Sequence, residues 1–167
     1  MLRSTTPFEF IFNRFYDRLE KDKDFFEYYN IPLSEAIQLA HDRARNYLIE
    51  ALEILSDIEG VEVDFMDYED DVEQLNFKTT SRENRLIVNL MFQIYMERDI
   101  TLLHAFQVNF TPSDLNVITP STERSTYLKL VEKLKCDNDV LIDEYKNRDR
   151  KTGKLKNTIN YSDYSDY

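Results

Sequence analysis

The stretch that decides the fold is LSEAIQLAHDRARNYLIEALEIL, residues 33–55. Its apolar side chains return every three or four positions, which is the spacing of one face of an α-helix, and they do so for more than twenty residues. Several are alanines, small enough to let a neighbouring helix approach closely. We therefore predict a long central helix near 33–56, and its apolar face consists of Ala36, Ile37, Ala40, Ala44, Tyr47, Leu48, Ala51, Leu52 and Leu55.

A first helix is predicted near 7–24. Thr6, Pro7 and Glu9 have the order of a helix start, in which Thr6 caps, proline takes the first helical position and Glu9 reaches back as in a capping box. The phenylalanines that follow recur at helical spacing. We expect this row to pack on the alanines of the central helix.

Two more helices follow the central one. Thr80 and Glu83 repeat the capping-box spacing and open a helix near 81–97, whose wide apolar flank makes it the most buried of the four. A fourth helix is predicted near 121–146, and the polar sequence CDND at 136–139 is a candidate interruption of it.

The composition bounds the fold class. A chain of 167 residues with 42% hydrophobic residues fits one folded domain, and its two glycines argue against a sheet-rich fold or a glycine-rich phosphate loop. We predict a mainly α protein: a small bundle of about four helices with a short extended acidic segment and an extended C-terminal arm. Residues 1–146 form the helical domain, and residues 147–167 form a basic arm followed by a Tyr/Ser/Asp tail.

The acidic segment, residues 57–73, holds nine carboxylates and no lysine or arginine. A brief alternation of apolar residues predicts a short strand or extended loop within it. Its oxygen ligands raise the question of a metal site, but the spacing of a calcium-binding loop is absent, so we predict a solvated or partner-facing patch. The patch consists of Asp64, Asp67, Glu69, Asp70 and Asp71.

Charge and residue usage exclude several functions. A net charge of −11 argues against nonspecific nucleic-acid binding, which rests on Lys and Arg. Cys136 is the sole cysteine, which rules out an internal disulfide and suits a reducing cytoplasm. No apolar run is long enough for a membrane span. His41 is expected on an exposed helical face and His104 after a loop-like DITLL, so no catalytic group, cofactor or metal is predicted and the chain is expected not to be an enzyme.

The order of these features resembles a known family. The order begins with PFEFIFNRFYDRL and EAIQLAHDRARNYLIEAL, continues with an acidic extended segment, and closes with ENRLIVNLMFQIYM and ITPSTERSTYLKLVEKL with a basic end. This order is similar to that of the head-to-tail connector, or neck, proteins of tailed bacteriophages, particularly those of Gram-positive hosts. The resemblance covers roughly residues 6–156. It implies a helical bundle assembled as a ring of about twelve subunits, a dodecamer, that sits beneath the portal and continues the DNA channel toward the tail.

Two functions stay open from the sequence. The first is a structural connector of the virion neck, assembled in the host cytoplasm, with the portal and a tail-side protein as partners and DNA passing through without sequence-specific binding. The second is an acidic regulator or inhibitor that masks a basic surface on a partner, using residues 57–73 as a phosphate mimic. Since like-charged subunits repel, the free protein is expected to be largely monomeric at low salt.

The basic end, YKNRDRKTGKLK at 145–156, carries six of the 21 Lys and Arg residues. Because it offers almost nothing apolar to its own core, we expect residues 146–156 to be a docking arm that reaches an acidic surface on the portal or on a neighbouring subunit's acidic segment. An unstructured solubilising tail and a DNA contact in the channel are the alternatives. The residues of the arm are Lys146, Arg148, Arg150, Lys151, Lys154 and Lys156.

Overall fold

The computed structural model describes residues 4–19, 31–109 and 121–156, apart from the side chains of 99–109 and 121–124. This part of the chain is mainly helical, with four helices and one small sheet, so the predicted fold class is confirmed. In chain order the elements are β1 (Thr6–Pro7), α1 (Phe8–Leu19), α2 (Leu33–Ser56), β2 (Tyr68–Glu69), β3 (Gln74–Leu75), α3 (Ser81–Asn109) and α4 (Ser121–Lys146).

Helix α3 is the centre of the bundle, so the prediction that the helix at 33–56 is the central one is wrong, whereas the wide apolar flank of α3 is buried as expected. It packs against α1, α2 and α4, whereas α4 packs chiefly on α3. The buried side chains of α3 include Leu86, Ile87, Val88, Leu90, Met91, Ile94, Tyr95 and Met96.

The face of α2 that the sequence indicated is buried, and the bounds of the helix match the prediction. Phe15 of α1 packs edge-on against Tyr47, with 6.1 Å between ring centroids, and Phe8, Ile11 and Phe12 are buried with it. The close approach of α1 follows from the small alanines, all four of which are buried. Ile37 departs from the prediction, because 62% of it is exposed.

The sheet joins the start of the chain to the loop before α3. Its strand order is β1-β3-β2, all antiparallel, with Leu75 paired to both Thr6 and Tyr68. The predicted capping role of Thr6 is wrong: its hydroxyl donates to the Phe77 carbonyl at 3.0 Å and accepts from the Thr79 amide at 3.0 Å, so it bonds across the sheet instead. The acidic segment contains one short strand, β2 at Tyr68–Glu69, whereas residues 61–65, where the apolar alternation begins, form a loop.

Two helices differ from their predicted extents. Helix α3 runs on to Asn109, so the backbone of DITLL is helical rather than a loop; no proline or glycine between residues 81 and 109 stops it. Helix α4 is continuous through 136–139. Asn138 is buried there and donates to the Gln93 side-chain oxygen at 2.7 Å, so a polar side chain that looked like an interruption bonds to α3.

Some predictions lie outside the described residues. These are the end of the first helix at 20–24 and the tail at 157–167. The side chain of His104 is also outside them.

Candidate functional site

The site is built on the first turn of α3, where the predicted capping box is confirmed. The Thr80 amide donates to Glu83 Oε2 at 2.6 Å, and the Glu83 amide donates to Thr80 Oγ1 at 3.3 Å. These reciprocal bonds satisfy two amides that a helix start leaves without partners. They also fix the position of the Glu83 carboxylate.

Glu83 is fully buried and has two further partners from the end of the chain. Arg150 Nε lies 2.6 Å from Glu83 Oε1, Arg150 Nη2 lies 3.1 Å from Oε2, and the Tyr145 hydroxyl donates to Oε1 at 2.8 Å. Burial alone would raise the pKa of Glu83, but the bonds from Arg150, the Thr80 amide and Tyr145 outweigh burial and hold that pKa below its ordinary value of 4.5. Burial and the bond to Glu83 raise the pKa of Tyr145. We call Glu83, Arg150 and Tyr145 the buried clamp.

Residues 147–156 form a compact turn, which we call the C-terminal turn. Arg148 and Leu155 pair as an antiparallel bridge, and the Gly153 amide donates to the Asp149 carbonyl at 2.8 Å. The Asp149 carboxylate accepts from the Thr152 amide and hydroxyl at 2.6 and 2.7 Å, which lowers the pKa of Asp149. Gly153 closes the turn at a φ of +70°, a backbone conformation that glycine adopts without steric cost.

The expectation of an extended arm is therefore wrong for these residues. Besides the clamp, Lys156 Nζ contacts the Gly60 carbonyl at 2.9 Å and Glu62 at 3.1 Å, and the Arg150 amide donates to Glu62 at 3.3 Å. The turn thus binds the acidic segment of its own chain. Low apolar content did not prevent this, because a buried carboxylate holds the turn instead of apolar packing.

The six basic residues of the predicted arm have separate environments. Arg150 and Lys156 hold the turn to the body, as described above. Lys146 pairs with Asp143 on its own helix at 2.8 Å, and Arg148 donates to the Gly153 carbonyl at 3.2 Å. Lys151 and Lys154 are exposed and form no ion pair with any described residue. The structure therefore does not gather the six charges into one free cluster.

The predicted acidic patch is also divided. Asp64 accepts from the Met66 amide at 2.9 Å, Asp67 accepts from the Asn76 side chain at 2.9 Å, and Asp70 pairs with Arg45, which lowers the pKa of Asp70. Glu69 and Asp71 are exposed. Among the described residues no three Asp, Glu, His or Cys side chains converge as a metal site.

A groove of about 250 Å³ lies where the first turns of α3 meet the end of α4 and the C-terminal turn. Three arginines line it with one carboxylate and three largely apolar side chains. We call it the basic groove; its lining is Arg82, Arg85, Leu86, Leu141, Glu144, Tyr145 and Arg148.

The positive charges of Arg82 and Arg85 do not stabilise the start of α3. Positive charge near a helix N-terminus opposes the helix dipole, and no carboxylate in the described ranges forms an ion pair with either residue. The charge of Arg85 also acts on α1. The pKa of Arg18 is lowered mainly because burial removes its side chain from water, and secondly because the charge of Arg85 repels it. A concentrated positive surface on a chain of net charge −11 is an arrangement suited to an anionic ligand.

Sequence reasoning missed Arg82 and Arg85. Their spacing of three placed them on one helix face, but 63 residues separate Arg85 from Arg148 along the chain. The one available signal was the positive charge at a helix start, where acidic residues are favoured.

A second cavity, about 400 Å³, lies between α1 and α2. His41 lines it with its Nε2 atom 3.3 Å from Glu73 and its ring edge-on to Phe12 at 5.1 Å. The prediction of an exposed His41 is therefore wrong, since it is half-buried. Cys136 is exposed on α4.

Comparisons with known proteins identify no relative: no protein-family model, curated protein or solved structure matches the chain. Within the described residues no helix is long and apolar enough to cross a membrane. The resemblance to phage connectors and the expectation that the chain is not an enzyme stay predictions.

Substitution of the two glycines tests the C-terminal turn. Gly60→Ala, at φ +83° with open space around the new methyl, should cost about 1 kcal/mol from the backbone alone. Gly153→Ala should cost about the same, because its new Cβ would lie 2.5 Å from Arg82 Nη1, the far end of an exposed side chain that can move aside. Urea unfolding of both variants measures the two losses, and a loss for Gly153→Ala more than twice that for Gly60→Ala would contradict this.

Stability should fall in acid because of the clamp. The pKa of Glu83 is below 4.5 in the folded state, so the unfolded chain takes up this proton at a higher pH and the clamp's contribution is present above about pH 4.5 and lost below it. Asp70 and Asp149 act in the same direction. Urea midpoints measured down to about pH 3 should fall less steeply in Glu83→Gln than in the wild type; identical slopes would show that Glu83 contributes nothing.

Proposed function

We propose that this chain is a structural connector of the neck of a tailed bacteriophage, which docks through the basic groove onto an acidic surface of an adjacent ring. The observation that supports the proposal is the groove itself, where Arg82 and Arg85 lie at a helix start without an ion-pair partner in the described structure. Its role is assembly, without catalysis or a cofactor.

An acidic protein surface suits this groove better than DNA does. DNA binding uses many phosphate contacts spread over an extended basic face, whereas here three arginines line one groove together with Glu144. Arginine forms bidentate pairs with carboxylates, and Leu86 and Leu141 offer apolar contact beside them. The proposed partners are the portal protein above and a tail-side neck protein below, with the chain forming a homo-oligomeric ring in the virion.

The acidic segment is opposite in charge to the basic groove, which suits it to contacts between neighbouring subunits of a ring. Glu69 and Asp71 are exposed beside the engaged Asp64, Asp67 and Asp70. In a ring, such a surface repels the DNA that passes through the channel. A regulator that mimics phosphate would use the exposed carboxylates of residues 57–73, which include Asp57 and Glu59 as well. That alternative gives the basic groove no role, so the connector is the better-supported candidate.

The experiment starts with the neighbouring reading frames, which should encode portal, capsid and tail proteins. In that phage, a nonsense codon at Glu9 should leave DNA-filled heads and free tails that do not join, and a plasmid copy should restore whole particles. Electron microscopy and mass spectrometry of purified particles give the readout. Complete tailed particles formed without the chain would overturn the proposal, and a chain absent from virions but bound to one enzyme would favour the regulator.

A further inference from the structure

The last eleven residues, NTINYSDYSDY at 157–167, have a composition unlike the rest of the chain. Three tyrosines recur at every third position with an aspartate before the second and third, and no lysine or arginine is present. The connector proposal gives this tail no role.

The chain enters the tail close to the basic groove. The last described residues, Leu155 and Lys156, pair back with Arg148 and with the Asn147 carbonyl, and Arg148 lines the groove. An extended residue spans at most about 3.3–3.6 Å, so the five residues from Lys156 to Tyr161 can cover roughly 17 Å. The groove is therefore within reach of the tyrosines and aspartates.

The tail and the groove are chemically complementary. Asp163 and Asp166 supply carboxylates for arginine, and the tyrosine rings supply faces on which a guanidinium stacks. Leu86, Leu141 and Tyr145 add apolar surface at the same place. A segment that alternates acidic and aromatic side chains is therefore suited to a groove lined by three arginines and apolar side chains.

We propose that residues 157–167 occupy the basic groove of their own chain and compete there with an acidic segment of the partner. The intramolecular arrangement is favoured because a short connection gives the tail an effective concentration on the order of millimolar, far above that of another subunit in solution. The partner then has to displace the tail. Only this consequence rests on the connector proposal; the contact itself does not.

The contact can be tested in the full-length isolated protein. In the ¹⁵N-labelled chain, amide resonances of 157–167 should lie away from random-coil positions, and Arg82→Glu with Arg85→Glu should return them to those positions. Arg82 lies in the first turn of α3, where an acidic residue is favourable, and both arginines are exposed, so this variant should keep its fold. Lys129→Glu, exposed on α4 about 18 Å along the helix from Leu141, is the matched control and should leave the tail unchanged.

Three results would overturn the inference. The first is random-coil tail resonances in the wild type, and the second is tail resonances that Arg82→Glu with Arg85→Glu does not move. The third is a shift that grows with protein concentration, which would show exchange between molecules instead of an intramolecular contact.

A partner-binding assay tests the consequence separately. Asp163→Asn with Asp166→Asn, made in the full chain, should bind portal-bearing heads about tenfold more tightly if the tail fills the groove about nine-tenths of the time. Unchanged or weaker binding by this variant would overturn the competition. If the charge-reversed groove loses the heads while the tail resonances never leave random coil, the inference fails and the connector proposal stands.

Discussion

Replacing Glu83 with alanine is expected to lower the free energy of unfolding by about 3–5 kcal/mol, the range for removing one partner from a buried ion pair. The carboxylate is fully buried, and its loss removes the acceptor of the Tyr145 hydroxyl and the counter-charge of Arg150, which is 20% exposed and keeps its bond to the Lys78 carbonyl. It also opens the capping box at Thr80. The effect is large because one side chain joins α3, α4 and the C-terminal turn.

Urea unfolding followed by circular dichroism measures this loss, with Glu53→Ala on the exposed face of α2 as the matched control. The control should change stability by less than about 0.5 kcal/mol. A double-mutant cycle with Arg150→Ala should show coupling, since removing both partners costs less than the sum of the single losses. A loss below about 1 kcal/mol for Glu83→Ala would mean that the clamp does not hold the turn.

Phe65→Ala is expected to destabilise the protein by about 3–5 kcal/mol, as for other fully buried phenylalanines. Phe65 is the apolar anchor of the acidic segment. It is completely buried, and its ring packs edge-on against Phe77 at 5.9 Å and at a tilt against Tyr145 at 6.2 Å. Its loss would leave a cavity beneath the loop and beside the clamp. The carboxylates around it repel one another, so the anchor is needed to keep the loop in place.

The neighbouring residue provides the control for Phe65. Met66 is 38% exposed, and Met66→Ala should cost less than about 1 kcal/mol. The two variants should differ clearly in melting temperature and in urea midpoint. Equal effects would contradict the anchoring role of Phe65.

Local spacing predicted the start of each of the four helices to within one residue, but it missed the extension of α3 to Asn109. A predicted cap failed where a distant group competed. At Thr80 and Glu83 the capping box formed because both partners lie within one turn. At Thr6 the same spacing was present, but the Phe77 carbonyl and the Thr79 amide, more than seventy residues away, took up the hydroxyl. A sequence pattern reports the local preference and contains no record of the tertiary partner that overrides it.

The candidate site was predictable only in part for the same reason. The concentration of charge at residues 146–156 was visible in the sequence. That Arg150 would bond to Glu83 was not, because Glu83 already had a local role and a carboxylate's capacity for further donors is not apparent from spacing. The groove needs α3, α4 and the C-terminal turn to meet, which periodicity alone does not specify.

The buried clamp also changes how the docking surface must be tested. Truncation after Tyr145 would remove Arg150 and leave Glu83 buried without its cation, so lost attachment could reflect lost stability. Reversal of the exposed groove charges avoids this. Arg82 and Arg85 lie at the surface and do not belong to the clamp.

The most direct measurement is the binding of the full-length protein to portal-bearing heads, compared among the wild type, Arg82→Glu with Arg85→Glu, and Lys129→Glu. Each exposed ion pair contributes only about 0.2–1 kcal/mol, but the contribution is repeated around a ring and charge reversal adds repulsion. We predict that the groove variant fails to join heads while Lys129→Glu joins them normally, and that wild-type binding weakens as salt rises. Normal occupancy of heads by a folded groove variant would contradict the account.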